Sequence, residues 1–157
     1  MATATVAHSR SRQCQPNNMN VTPEGELPIE TESDIVMARR TVRELALQLE
    51  FGATDVTRIV TAASELARNI FHYAGKGTMH WSSIENSGGY GLQLRFADRG
   101  PGISDVELAL SEGFSTGTGL GMGLPGARRL MDEMEIESKP NEGTTIIVRK
   151  WRKGQPR

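Results

Sequence analysis

The stretch LQLRFADRGPG, residues 92–102, decides the fold of this chain. Its first half alternates apolar and polar side chains, which is typical of a strand with one buried face. Asp98 follows this strand directly and precedes Gly100 and Gly102. Because glycine has no Cβ atom, the backbone here can approach a flat ring, and the carboxylate can accept a hydrogen bond from the amino group of adenine. Guanine presents a carbonyl oxygen there, so the motif would favour adenine, although an ordinary Asp-containing turn has the same residues.

Two helices and a short edge strand are predicted before this strand. Leu27 and Ile29 fit the edge strand. The first helix has Ser33 as its predicted N-cap and Gly52 at its end, and the second has Thr54 as its predicted N-cap. Within both segments apolar residues recur every three or four positions, as on the buried face of a helix.

The second helix carries a polar pair, Glu65 and Asn69, one helical turn apart. At about 100° per residue, the two side chains share a face that points away from the apolar stripe of the helix. Thr61, Arg68 and His72 flank this face. Taken alone, such a pair is equally typical of an ordinary solvated helix face.

The remaining pattern predicts an α+β two-layer sandwich, with a mixed, mainly antiparallel sheet covered on one face by helices. The predicted elements are a strand over 79–84, a turn over 86–89, a short helix from a capping box at 104–107 to Glu112, a glycine-rich loop over 113–123, a helix from Pro125 to about Met134, a short strand at Ile136, a turn over 141–143 and a final strand over 144–151.

The run GLGMGL, residues 119–124, precedes a predicted helix. Glycine-rich backbone before a helix N-terminus offers free N–H donors and the positive end of the helix dipole, a combination that binds phosphate. A flexible linker has the same composition. Gly143-Thr144, at the start of the last strand, is by itself only the end of a turn.

Together these four motifs resemble the GHKL superfamily, which has the Bergerat ATP-binding fold. Glu65-x-x-x-Asn69 is similar to its N box, and the three glycine boxes are similar to Asp98-x-Gly100-x-Gly102, Gly119-x-Gly121-x-Gly123 and Gly143-Thr144. Within the superfamily the chain is similar to the RsbT-type switch kinases and anti-sigma regulatory factors over about residues 29–152. The stretches that carry this closer resemblance are SELARNI at 64–70, YAGKG at 73–77, EGFST at 112–116, GLG at 119–121, GLPG at 123–126 and RLMDE at 129–133.

The resemblance implies roles for individual residues. Glu65 would be the general base toward a Ser or Thr hydroxyl, and Asn69 would hold Mg²⁺ against the triphosphate of ATP. Asp98 would bind the adenine amino group, with Gly100 and Gly102 lining the ring pocket. The other implied nucleotide contacts are Thr144, which assists Asp98, and a lid over the phosphates that includes Ser115, Thr116, Gly119, Leu120, Gly121, Met122, Gly123 and Leu124.

The expected lid departs from the family pattern. Related anti-sigma kinases carry a basic lid residue near the γ-phosphate, whereas residues 113–123 contain no Lys or Arg. Mg²⁺ and helix dipoles, Arg68 or Lys76 could take its place, and the sequence leaves these alternatives open.

The resemblance also implies partners. A switch kinase of this branch would phosphorylate a STAS-domain antagonist within a stressosome-like scaffold and, once released, activate a PP2C-type phosphatase. The alternative is an ATP-gated anti-sigma or regulatory binding module with little or no catalysis. The intact Glu65 favours the kinase, and the lid without a basic residue leaves room for the alternative.

Domain organisation follows from composition along the chain. Residues 1–25 are predicted to be a disordered tail, because Met1 to Pro23 lacks acidic residues and any amphipathic pattern. The ATP-binding kinase domain is expected to span 26–152, followed by a flexible end at 153–157.

Bulk composition disfavours several classes of protein. With 157 residues and a formal net charge of −1, the chain suits one domain and has no global attraction for nucleic acid or an anionic membrane. Its one cysteine, Cys14, cannot form an internal disulfide, and no apolar run is long enough to span a bilayer, so a cytoplasmic protein is expected. The basic end with Arg149, Lys150, Arg152 and Lys153 is expected to be solvated.

Overall fold

The alternating stretch that ends at Asp98 forms β3, the central strand of a five-stranded sheet. The computed structural model describes residues 22–103, 105–110 and 123–152. Its elements, in chain order, are β1 Glu24–Ile29, α1 Glu32–Gln48, α2 Ala53–Asn69, β2 Gly77–Asn86, β3 Gly89–Asp98, α3 Val106–Leu110, α4 Gly123–Leu130, β4 Glu133–Lys139 and β5 Gly143–Trp151. One π-helical turn, Ile70–Ala74, continues α2.

The sheet order is β1-β2-β3-β5-β4, and every described pair of strands is antiparallel. The predicted α+β sandwich is therefore confirmed, but the expectation of a mixed sheet is wrong for the described strands. The reason is topological: β2–β3 and β4–β5 are hairpins, and β5 then pairs with β3 in the antiparallel sense. Leu92, Leu94 and Phe96 are buried on the side of β3 that faces the helices, and Asp98 is the next residue on that side.

The first helix begins earlier than predicted. Its N-cap is Thr31, not Ser33, because Thr31 Oγ1 accepts the backbone N–H of Asp34 at 3.2 Å. The Asp34 carboxylate in turn accepts the N–H groups of Glu30 at 2.9 Å and Thr31 at 3.0 Å, which completes a capping box. These backbone hydrogen bonds, that from Glu30 first, hold the pKa of Asp34 below its ordinary value.

Two other helix ends also differ from the prediction. The second helix has Gly52 as its N-cap, with no side-chain cap, so Thr54 lies inside the first turn. The fourth helix ends at Leu130 rather than near Met134, because β4 has already begun there and Met134 pairs with Val148. Likewise, the strands expected at Ile136 and over 79–84 are parts of longer strands.

Helix α2 packs against both α1 and α4 and therefore lies in the middle of the helical layer. All residues from Ala62 to Ala67 are buried, so α2 is enclosed around most of its circumference. Among the described residues, no helix is both long and apolar enough to cross a membrane.

The basic end of β5 is paired rather than solvated, contrary to expectation. Arg149 donates to Gln93 at 2.7 Å and to Glu135 at 3.2 Å, while Arg152 lies 3.4 Å from a carboxylate oxygen of Glu50. These pairs tie β5 to β3, to β4 and to the loop after α1.

Lys150 is only 3% exposed, because strand alternation turns it toward the helices. Its Nζ donates to the Leu130 carbonyl at 3.0 Å and to Asp132 at 3.2 Å, and lies 3.8 Å from a carboxylate oxygen of Asp55. One buried cation thus joins β5 to the C-terminus of α4 and the N-terminus of α2. Lys153 lies outside the described residues.

We expect Lys150→Met to lower the free energy of unfolding by about 3 kcal/mol, because it leaves two partly buried carboxylates and a helix-end carbonyl without their cation. Chemical denaturation measures this. Lys139, whose side chain is 81% exposed, provides the matched control. Lys139→Met should change the free energy of unfolding by less than about 0.5 kcal/mol. An equal effect of both substitutions would contradict the role of Lys150 in joining β5 to α4 and α2.

Candidate functional site

The polar pair on α2 is more buried than the sequence suggested. Glu65 is only 6% exposed, so the expectation that its face points away from the packed side of the helix is wrong. The reason is that α1 and α4 both pack against α2 and cover more of its surface than the apolar stripe alone indicates. Arg68 Nη1 lies 3.2 Å from Glu65 Oε1 and neutralises the carboxylate, while Asn69 at the end of α2 is half-buried.

A single π-helical turn, Ile70–Ala74, joins this pair to the sheet. No pattern in the sequence predicts this turn, although such turns are often found at functional sites. A Cβ atom added to Gly77, at the start of β2, would lie 2.7 Å from Ile70 Cγ2 and 3.2 Å from Asp98 Cβ. Because Gly77 has no side chain, the turn after Asn69 can pack directly beside the end of β3.

One carboxylate oxygen of Asp98, at the end of β3, accepts a hydrogen bond from the loop that follows the strand. Asp98 Oδ1 accepts the N–H of Gly100 at 2.8 Å. A Cβ atom added to Gly100 would lie 2.6 Å from Ala74 Cβ, so this glycine lets the loop pack against the π-helical turn. Within the described part of the chain, Asp98 Oδ2 accepts no hydrogen bond, and it remains available to a ligand.

The loop between β4 and β5 packs against the same end of β3. Gly143 has φ +101°, and a side chain on it would collide with the Asp98 carbonyl. Thr144 follows and is paired directly with Asp98 across β3 and β5, so the two side chains lie on the same face. The structure therefore brings Asp98 and Thr144 together, as the sequence implied.

Ser138 links the two loops and was missed in the sequence. Its Oγ accepts the N–H of Ile103 at 2.7 Å and lies 2.8 Å from Thr144 Oγ1. Gly102, with φ +74°, packs so closely on the carbonyl of Lys139 that a Cβ atom would clash. A lone serine near a strand end carries no signal in a sequence, because its role depends on two loops that are distant along the chain.

The expected phosphate lid is described only at its last two residues. Gly123, with φ +40°, begins α4, and Leu124 is buried against the core. The other expected lid residues lie outside the described residues: Ser115, Thr116, Gly119, Leu120, Gly121 and Met122. Ser104, the predicted cap of the short helix, and Glu112, its predicted end, also lie outside them, and the described part of this helix is Val106–Leu110.

The described residues place two groups of polar side chains on adjacent elements. Glu65 and Asn69 lie at the end of α2, and Asp98 and Thr144 lie side by side at the end of the sheet that contacts the π-helical turn. On the helix, Arg68 is paired with the Glu65 carboxylate. On the sheet, among the described residues, the Gly100 N–H is the donor bound to the Asp98 carboxylate. Both carboxylates are groups that can accept hydrogen bonds from a ligand.

Comparisons with known proteins show the family of the chain. Residues 54–154 match the family described as histidine kinase-, DNA gyrase B- and HSP90-like ATPase. The serine/threonine-protein kinase RsbT of Bacillus subtilis is 50% identical over 123 residues, which are 78% of this chain and 92% of the relative. An anti-sigma F factor of Caldanaerobacter subterraneus is 32% identical over 122 residues, covering 73% of this chain and 82% of the relative.

The fold is also found among solved structures. The catalytic domain of the histidine kinase ThkA superposes with a TM-score of 0.50, at 19% identity, over 82% of this chain and 96% of that domain. At this identity the match concerns the fold, and it agrees with an α+β ATPase architecture.

Proposed function

The chain belongs to the family of histidine kinase-, DNA gyrase B- and HSP90-like ATPases, and from that premise we propose that it is an ATP- and Mg²⁺-dependent protein serine/threonine kinase. Its substrate is a STAS-domain antagonist in a bacterial partner-switching pathway. The observation that supports the proposal most is the contact between the π-helical turn and the end of β3, since it brings the end of α2 close to Asp98.

The sheet side of the site fits an adenine ring. Since no described residue donates to Asp98 Oδ2, this oxygen can accept a hydrogen bond from the adenine amino group, while Oδ1 stays with Gly100. Thr144 is anchored by Ser138 at 2.8 Å and lies on the same face as Asp98. Gly102 adds no side chain that would fill the space beside the ring.

The helix side fits the phosphates. Asn69 offers an amide oxygen, which is a suitable ligand for a Mg²⁺ ion that keeps most of its other ligands from water and phosphate. The N-terminal turn of α4, from Gly123, would present backbone N–H groups and a partial positive charge to the same phosphates. We assign the undescribed lid residues, from Ser115 to Met122, to cover this end of the nucleotide.

Phosphoryl transfer then needs alignment and one base. Bound ATP supplies the phosphoryl group and leaves as ADP. Glu65 accepts the proton of the Ser or Thr hydroxyl as the new oxygen–phosphorus bond forms and the bond to ADP breaks. Its burial keeps water away, so the carboxylate acts on the protein hydroxyl rather than on solvent.

We propose a second role in partner binding, because the anti-sigma F relative is named for binding rather than for transfer. Released from a stressosome-like scaffold in the cytoplasm, the chain would activate a PP2C-type phosphatase. The competing function is an ATP-gated regulatory module without catalysis, and loss or survival of transfer when Glu65 is changed separates the two.

We expect Glu65→Gln to lower the rate of phosphate transfer to the antagonist by about a thousandfold, because the amide cannot take up the hydroxyl proton. Affinity for Mg-ATP should stay within about threefold, since Glu65 lies on the substrate side of the site. Transfer of labelled phosphate and calorimetric ATP titration measure the two quantities. Glu85→Gln, on the exposed part of β2, is the control. Undiminished transfer by Glu65→Gln would refute the base assignment.

We expect Asp98→Asn to weaken ATP binding by about tenfold to a hundredfold, as expected for losing a hydrogen bond to a charged acceptor. The Asn oxygen can still accept the Gly100 N–H, which turns the amide NH₂ toward the ligand. That donor opposes adenine but matches the carbonyl of guanine, so the ratio of GTP to ATP affinity should rise. Glu137→Gln, exposed on β4, is the control. An unchanged ratio would contradict adenine recognition by Asp98.

A further inference from the structure

A groove of about 200 Å³ lies between α1 and the π-helical turn, and Arg68 of α2 is one of the residues that line it. Ile35, Val36 and Phe71 give it an apolar wall. Val36 is 62% exposed, and Met37 beside it is also largely exposed. The helix side of the molecule therefore presents an apolar strip that no described residue covers.

The charges around the groove are mainly basic. Arg39 and Arg68 line it together with one acidic residue, Glu32, and with His72. Among the described residues, no carboxylate forms an ion pair with Arg39. A groove with apolar walls and excess positive charge is complementary to a segment that combines apolar and acidic side chains.

Arg68 belongs to both the groove and the site. Its Nη1 holds Glu65 Oε1 at 3.2 Å, yet its side chain is exposed enough to line the groove. An acidic side chain bound in the groove would therefore compete with Glu65 for the same guanidinium. Because Arg68 both lines the groove and contacts Glu65, a segment bound there would also bring its neighbouring residues close to Glu65.

We propose that this groove docks an acidic segment next to the phosphorylated hydroxyl of the substrate protein, and that its carboxylate takes Arg68 from Glu65. This inference rests on the proposed kinase function and adds where the substrate binds and how its binding prepares the base. The exchange makes and breaks ion pairs only. Glu65 then accepts the hydroxyl proton with both carboxylate oxygens free of Arg68.

The test uses the full chain, saturating Mg-ATP and a purified STAS-domain antagonist. Arg68→Met and Val36→Asp should each raise Kd and KM for the antagonist about tenfold, because each removes or opposes a groove contact. Arg68→Lys should recover part of the affinity that Arg68→Met loses, because it restores the positive charge. Leu47→Asp is the matched control, since Leu47 is 54% exposed on the same helix but outside the groove. ATP affinity should be unchanged in all variants.

Three results would overturn the inference. A lower kcat with unchanged KM in Arg68→Met would mean that Arg68 only orients Glu65. Equal effects of Val36→Asp and Leu47→Asp would mean that the groove is not the docking site. A change of oligomeric state in Val36→Asp with unchanged Kd would assign the groove to a second copy of the chain. If the wild type binds the antagonist but transfers no phosphate, the proposed kinase function is wrong. The effect of Val36→Asp on Kd then still shows whether the groove is the docking site for the antagonist.

Discussion

The site depends on the close contact between the π-helical turn and the end of β3. Two positions without side chains make it possible: Gly77 accepts Ile70 beside Asp98, and Gly100 accepts Ala74. A methyl group at either position would force the two layers apart, because the neighbouring atoms are packed elements of the core. The distance between the polar side of α2 and the aspartate on the sheet is thus set by packing rather than by direct bonds between the functional groups.

Much of this could be predicted from the sequence. The alternation before Asp98 predicted the central strand, and its register places Asp98 on the helix-facing side. The spacing of Glu65 and Asn69 predicted that they share one helix turn. These features are local, so they depend on periods of two and about four residues that a sequence displays directly.

Other features could not be predicted, because they depend on contacts between distant segments. Glu65 is buried since two other helices enclose α2, which the periodicity of α2 alone does not reveal. Ser138 matters because two loops meet at its hydroxyl. Lys150 was expected to be part of a solvated basic end. Strand alternation and the position of α4 instead bury its side chain, which donates to the carbonyl at the end of α4. The N-cap of α1 was misplaced because Ser33 and Thr31 are both good capping residues, and only the Asp34 carboxylate decides between them.

The proposed position of the magnesium nucleotide, between α2 and the end of β3, can be observed in a structure of the chain bound to Mg²⁺ and a non-hydrolysable ATP analogue. We expect a hydrogen bond of about 2.9 Å from the adenine amino group to Asp98 Oδ2. We also expect a Mg²⁺ ion at about 2.1 Å from the amide oxygen of Asn69. An adenine ring bound away from Asp98, or a Mg²⁺ ion without contact to Asn69, would contradict the proposed position.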